Sequence, residues 1–253
     1  MDYHVMLTER ELQRHSTTKG PWPIGQIGMT QDGRKFAYAK AAGALGGKRR
    51  AVINSNYCPG ATGHTDEDGF EGALQVAASA GDKVVYIADT TERDEDYYEG
   101  AYLVIFGSDE FEEHFILSSE AGDGTKVKLT LASDLQNDIA TSVGVTVYVN
   151  PYAAVKAAMS TGQEYEPFVG VPLVAVASGE YCWLQIAGPI WVTAHGGTWP
   201  GSAAHYRDVF FHMDGTIDPS SVCDPTSGYQ RAGYLLSQTI SGYGDAWIML
   251  QLG

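Results

Sequence analysis

Three histidines and two aspartates crowd one stretch near the C-terminus: His195, His205, Asp208, His212 and Asp214. Imidazole nitrogens and carboxylate oxygens are the donors that hold zinc or iron. A metal so held, with one position open, activates water for hydrolysis. The spacing points away from this chemistry. His205 and His212 are seven residues apart and lack the i, i+2 or i, i+4 spacing that sets two ligands on one face of a strand or helix. These histidines are therefore assigned to turns or to the surface.

Other chemistry-bearing patterns fail on their own terms. Asp66, Asp68 and Gly69 resemble the start of a calcium loop, but Glu71 stands where an EF-hand counted from Asp66 needs glycine. Gly-x-Ser-x-Gly is absent, and so are the glycine-rich phosphate loops. The many carboxylates lie in hydrophilic stretches, without the apolar surroundings that raise one pKa for acid catalysis. Cys58, Cys182 and Cys223 are odd in number and widely spaced, which gives neither a disulfide framework nor a zinc signature. No catalytic residue, metal or cofactor is assigned, and a non-enzymatic protein is expected. Trp199, Tyr206 and Tyr229 on glycine-rich loops offer aromatic faces of the kind that receive sugar rings.

Charge narrows the partners. The formal net charge is -15, and 17 of the 31 acidic residues lie between Asp66 and Asp123. Such a surface repels nucleic acid, which is bound by clustered cations that displace counterions. The one basic cluster, Lys48-Arg49-Arg50, reads as a turn or a protein contact. No apolar run approaches the roughly 18 residues of a membrane span, and the N-terminus lacks a signal-peptide pattern. Synthesis in a host cytoplasm, with no membrane and no nucleic-acid partner, is expected.

The elements that must carry these residues are mostly strands. Thirty glycines, 15 tyrosines and abundant valine and threonine favour turns and strands over helices. Asp32-Gly33 signals a hairpin leading into Phe36, Tyr38 and Lys40. Gly122-Asp123-Gly124 joins Phe115-Ile116-Leu117 to Lys126–Leu131. Tyr102–Phe106 reads as a buried strand, residues 89–100 as an exposed acidic loop, and 143–149 as the clearest strand. Alanine-rich 151–160 is the best helix candidate. Three strands are expected at 171–177, 181–187 and 190–194, broken by Gly188-Pro189, with further strands near 209–212, 233–237 and 246–252. Strands recurring every 8–12 residues predict a mainly β fold, an antiparallel sandwich or barrel with Gly-rich turns. Residues 1–23 are polar, end in Pro21-Trp22-Pro23 and read as an extended N-terminal arm. Domains are expected at 24–135 and 136–253, where acidity falls. Trp22, Lys48, Arg49 and Arg50 are the expected contacts with other subunits.

The run Val171-Pro172-Leu173-Val174-Ala175-Val176-Ala177-Ser178-Gly179-Glu180-Tyr181-Cys182-Trp183-Leu184-Gln185-Ile186-Ala187-Gly188-Pro189 resembles virion structural proteins of tailed phages, especially capsid decoration (cement) proteins. So do Asp32–Ala41 with Ala44-Leu45-Gly46-Gly47, and the closing Trp247–Leu252. The resemblance covers about a third of the chain and implies a homo-oligomer, typically a trimer, seated on the shell through contacts with the major capsid protein, hence a virion location. The alternative expectation is a carbohydrate- or receptor-binding β-module of a head or tail fibre.

Overall fold

The computed structural model describes residues 5–47, 49–54, 69–107, 111–158, 167–196, 207–220, 229–237 and 246–252. The chain divides into two units, Met1–Ser55 with Tyr152–Gly253, and Asn56–Pro151. The second is thus an insertion in the sequence of the first. This differs from the boundary expected between residues 135 and 136. A fall in acidity does not mark where backbone pairing changes partners.

The inserted unit carries β5 (Phe70–Ala73), β6 (Val84–Ile87), β7 (Tyr102–Phe106), β8 (Phe111–Ser119), β9 (Val127–Leu131) and β10 (Gly144–Tyr148). They pair antiparallel in the order β5-β10-β7-β8-β9-β6. The ring then closes. Leu74 bridges Ile87, Gln75 N–H donates to the Tyr86 carbonyl at 2.7 Å, and Ala88 N–H donates to the Ala73 carbonyl at 3.0 Å. Closure removes the unpaired edges that a six-stranded open sheet would expose. The interior is filled by Val85, Ile87, Leu103, Ile105, Ile116, Val127, Leu129, Leu131, Val145 and Val147, all essentially without solvent exposure. Alternation along β7 places Leu103 and Ile105 inside and Tyr102 and Phe106 outside. The strand expected to be wholly buried is therefore two-faced.

The other unit holds β1 (Val5–Met6), α1 (Glu9–Leu12), β2 (Ile27–Met29), β3 (Lys35–Lys40), β4 (Val52–Asn54), β11 (Val155–Ala157), β12 (Phe168–Pro172), β13 (Tyr181–Val192), β14 (Asp208–Phe211), β15 (Ile217–Pro219), β16 (Arg231–Ser237) and β17 (Ala246–Gln251). The main path runs β1-β2-β3-β13-β17-β16-β14-β15, with β12 joining β13 to β4 and β11 beyond it. β4 and β11, which flank the insertion, are antiparallel neighbours through Val155↔Asn54 and Ala157↔Val52. Phe36, Trp183, Ile190, Phe211, Ile248 and Leu250 lie in one core cluster; Leu45, Val52, Val155 and Leu184 lie in another. The mainly β, barrel-like architecture expected from the sequence is what the chain adopts.

Three local expectations change. Residues 151–157 form a turn and then β11, not a helix, because Val155 is fully buried and its backbone pairs with β4; tertiary pairing overrides the helix propensity of alanine. Gly188-Pro189 does not break the strand. β13 runs 12 residues through it, pairing first with β3 and, from Ala187 onward, with β17. Residues 5–23 are no extended arm. β1 pairs parallel with β2, the Thr8 capping box starts α1, Leu7 and Leu12 enter the core, and Ser16 bridges Tyr181.

Candidate functional site

The histidine–aspartate stretch does converge, though not on all the residues the sequence offered. β13 runs out through Thr193 and Ala194 to His195. β14 runs into the 212–216 turn, and β15 leaves it. Ala194 bridges Ile217 in parallel, with His195 N–H donating to the Ile217 carbonyl at 3.0 Å and Ile217 N–H to the Thr193 carbonyl at 3.0 Å. His212 N–H closes the turn onto the Thr216 carbonyl at 2.8 Å. The backbone thus lays His195 beside the turn, and the two imidazoles lie in contact, centroids 3.8 Å apart and planes tilted by 36°.

Both rings face Asp214. Nδ1 lies 3.1 Å from Asp214 Oδ1 for His212 and 3.8 Å for His195. Arg50 Nη1 contacts the other carboxylate oxygen at 3.1 Å, and Thr216 donates to Oδ1 from its N–H and its hydroxyl. Burial alone would raise the Asp214 pKa. The Thr216 donors, His212 and Arg50 outweigh it and hold the group below the usual carboxylate range. Asp208 stays out of the cluster and pairs with Arg231 at 2.7 Å. His205 lies outside the described residues. Short spacing did not join these side chains; a parallel bridge between distant segments did.

The expected subunit contacts have partners within their own unit. Trp22 packs edge-on against Tyr38 and Trp183, with centroids 5.4 and 5.2 Å away, and is half-buried. Arg49 lies over the Trp191 ring at 4.4 Å, and Arg50 pairs with Asp214. Lys48 lies outside the described residues, as do Asp66, Asp68, Trp199 and Tyr206. Tyr229 is half-buried, its ring centroid 6.5 Å from that of His212.

The inserted barrel presents a surface that the sequence did not reveal. Tyr102, Phe106, Phe111, Phe115, Leu117 and Tyr148 are exposed on neighbouring strands β10, β7 and β8. The register stacks them in rows. Tyr148, Tyr102 and Phe115 lie directly opposite one another across the three strands, and Phe106 lies opposite Phe111. The rings of Tyr102 and Phe115 meet edge-on at 5.5 Å, and those of Phe106 and Phe111 at 6.3 Å. Phe111 is 71% exposed. The signal was present as apolar residues on both faces of β7 and as Phe111, Phe115 and Leu117 at period-two positions of β8.

Two polar networks stabilise the same unit. His114 accepts or donates between Ser133 Oγ at 2.9 Å and Glu112 Oε2 at 2.8 Å. The ordering serine–imidazole–carboxylate is that of a hydrolase nucleophile with its base. Glu112, however, also takes the Gln136 N–H and the Asn137 amide, each at 2.9 Å, so the network ties the turn after β9 to β8. Asp89, in the stretch expected to be solvated, is buried and holds Tyr98 and Arg93.

No family model, curated protein or solved structure matches the chain. Among the described residues no helix is long and apolar enough to cross a membrane.

Proposed function

We propose that this chain is a non-enzymatic structural subunit of a tailed-phage virion that decorates the capsid shell through contacts with the major capsid protein. One observation carries the reading: six exposed apolar side chains on β10, β7 and β8 of the inserted barrel, five of them in two cross-strand rows either side of Val104 and Glu113. Clustered exposed aromatic side chains are costly in water and mark a place where another protein docks. Aromatic residues also dominate the energetic centres of protein interfaces. The closed, fully packed barrel beneath gives that surface a rigid support. The resemblance of the 171–189 segment to decoration proteins supplies the identity of the assembly.

The test is mass spectrometry of virions of the encoding phage, followed by reconstruction of the particle. The chain is expected at high copy number on the outer shell, with Tyr102, Phe115 and Tyr148 covered by a neighbouring subunit. Absence from virions, or a reconstruction leaving those rings in solvent, would overturn the proposal.

The same rings support a second reading, a carbohydrate-binding module of a head or tail fibre, because flat aromatic faces suit sugar rings. Saturable binding on a glycan array, lost on Tyr102→Ala, would favour it over decoration.

A further inference from the structure

Independently of the assembly role, we propose that His195, His212 and Asp214 form a binding site for one divalent transition metal, zinc or a close relative, which clips the end of β13 to the 212–216 turn. The three side chains come from two segments, and one ligand atom of each falls within a mutual 4.8 Å. In a tetrahedral site with bonds of about 2.0–2.2 Å, ligand atoms are separated by roughly 3.3–3.6 Å. The two imidazole nitrogens stand 3.1 and 3.8 Å from Asp214 Oδ1, on either side of that range. A small adjustment of the two tilted rings would bring both Nδ1 atoms into that range.

The donor set selects the metal. Two imidazoles and one carboxylate suit zinc, cobalt or nickel. Calcium and magnesium require all-oxygen shells that these residues do not offer. Surrounding groups already orient the ligands in the manner of an outer shell. Arg50 holds Asp214 Oδ2, while the Thr216 N–H and hydroxyl fix Oδ1 between the turn and the rings. All three ligands are partly exposed, so a hydrated ion can reach them. Three protein ligands leave a fourth position for water. The positive charge of Arg50 beside the carboxylate weakens affinity and makes the metal a removable clip.

The test uses the full chain, stripped with chelator and dialysed. Zinc titrated by calorimetry should bind saturably with one equivalent at this site. Cobalt(II) should give the intense visible bands of a tetrahedral nitrogen–oxygen site, a readout that needs no variant. His195→Ala and His212→Ala should each weaken zinc at least tenfold, with far-UV circular dichroism confirming the fold. Asp208→Asn, whose parent residue pairs with Arg231, should leave binding unchanged. No saturable zinc binding, absence of the cobalt bands, or unchanged affinity in the double variant His195→Ala/His212→Ala would each overturn the proposal.

Discussion

The Tyr98 hydroxyl donates a 2.6 Å hydrogen bond to Asp89 Oδ2, and the same oxygen takes Arg93 Nε at 3.0 Å. Asp89 Oδ1 accepts the Thr91 N–H at 2.9 Å, so the carboxylate is satisfied on both sides. Tyr98 has no solvent exposure, and Arg93 in turn lies over the Tyr97 ring at 4.5 Å. A run that reads as a solvated acidic loop thus folds around one buried acid. Removing one partner of a buried ion pair strands the other, at a cost of about 3 kcal/mol. Asp89→Ala is expected to destabilise by that amount. Asp89→Asn, which keeps an acceptor for Tyr98, should lose only about half. Urea denaturation of both variants checks the order; equal losses would show that the charge carries the whole contribution and the retained acceptor none.

Acid should act through the same group. Burial pushes the Asp89 pKa up, but the Tyr98 hydroxyl, the Thr91 N–H and Arg93 outweigh it and bring it below the usual range. Glu112 and Asp214 are lowered too, again against burial, by hydrogen bonds and neighbouring positive groups. With folded pKa values below unfolded ones, the unfolded chain takes up protons first as pH falls. The stabilisation is complete above the unfolded carboxylate pKa of about 4 and is lost as pH drops through the lowered folded values. Melting temperature should be flat from neutrality down to that point and fall steeply below it. Asp89→Asn should show a shallower fall; an unchanged profile would remove Asp89 from the account.

Gly233 on β16 approaches β17 so closely that an added Cβ would lie 1.9 Å from the Met249 carbonyl oxygen, and its φ is +148°. Both the overlap and the backbone region exclude a side chain. Gly233→Ala is expected to cost roughly 3 kcal/mol through strain and overpacking. Gly124, at φ +80° with open space around it, isolates the backbone contribution. Gly124→Ala should cost about 1 kcal/mol. Comparable losses for the two, measured by thermal unfolding, would contradict the close approach.

Leu12, 1% exposed, anchors the N-terminal segment in the core that contains Phe36, Tyr38 and Trp183. Leu12→Ala should destabilise the chain by about 3 kcal/mol, the range for a buried leucine that leaves a cavity. A detachable arm would show almost no effect on monomer unfolding.

Local chemistry was legible in the sequence, and non-local pairing was not. Asp32-Gly33 and Gly122-Asp123-Gly124 announced their hairpins, since a turn's residues state its backbone geometry. The pairing of Val155 with Asn54 spans the whole insertion, and no local pattern encodes that register. Pro189 looked like a strand breaker because the switch of β13 from β3 to β17 at Ala187 depends on two remote strands. The polar look of residues 1–23 hid Leu7 and Leu12, too widely set among charges to show a period. His195 and Asp214 were visible as residue types. Their meeting rests on the Ala194–Ile217 bridge, which spacing cannot show.

The exposed aromatic row makes the sharpest demand on function. Tyr102, Phe111 and Phe115 lie on the outer face of the barrel, away from the packed interior of Leu103, Ile105 and Ile116. Substitutions at exposed positions outside such a core usually change stability by no more than about 0.5 kcal/mol. Truncating interface anchors, in contrast, costs about 2 kcal/mol or more of binding. The variant Tyr102→Ser/Phe111→Ser/Phe115→Ser should therefore unfold close to the parent temperature, with modest loss from the cross-strand ring pairs. In particles assembled in its presence its occupancy should fall at least tenfold relative to the unsubstituted chain. Phe111→Tyr, which keeps the ring, should retain incorporation. Full occupancy of the triple variant would mean that the rings face solvent in the assembly and that another surface makes the contact.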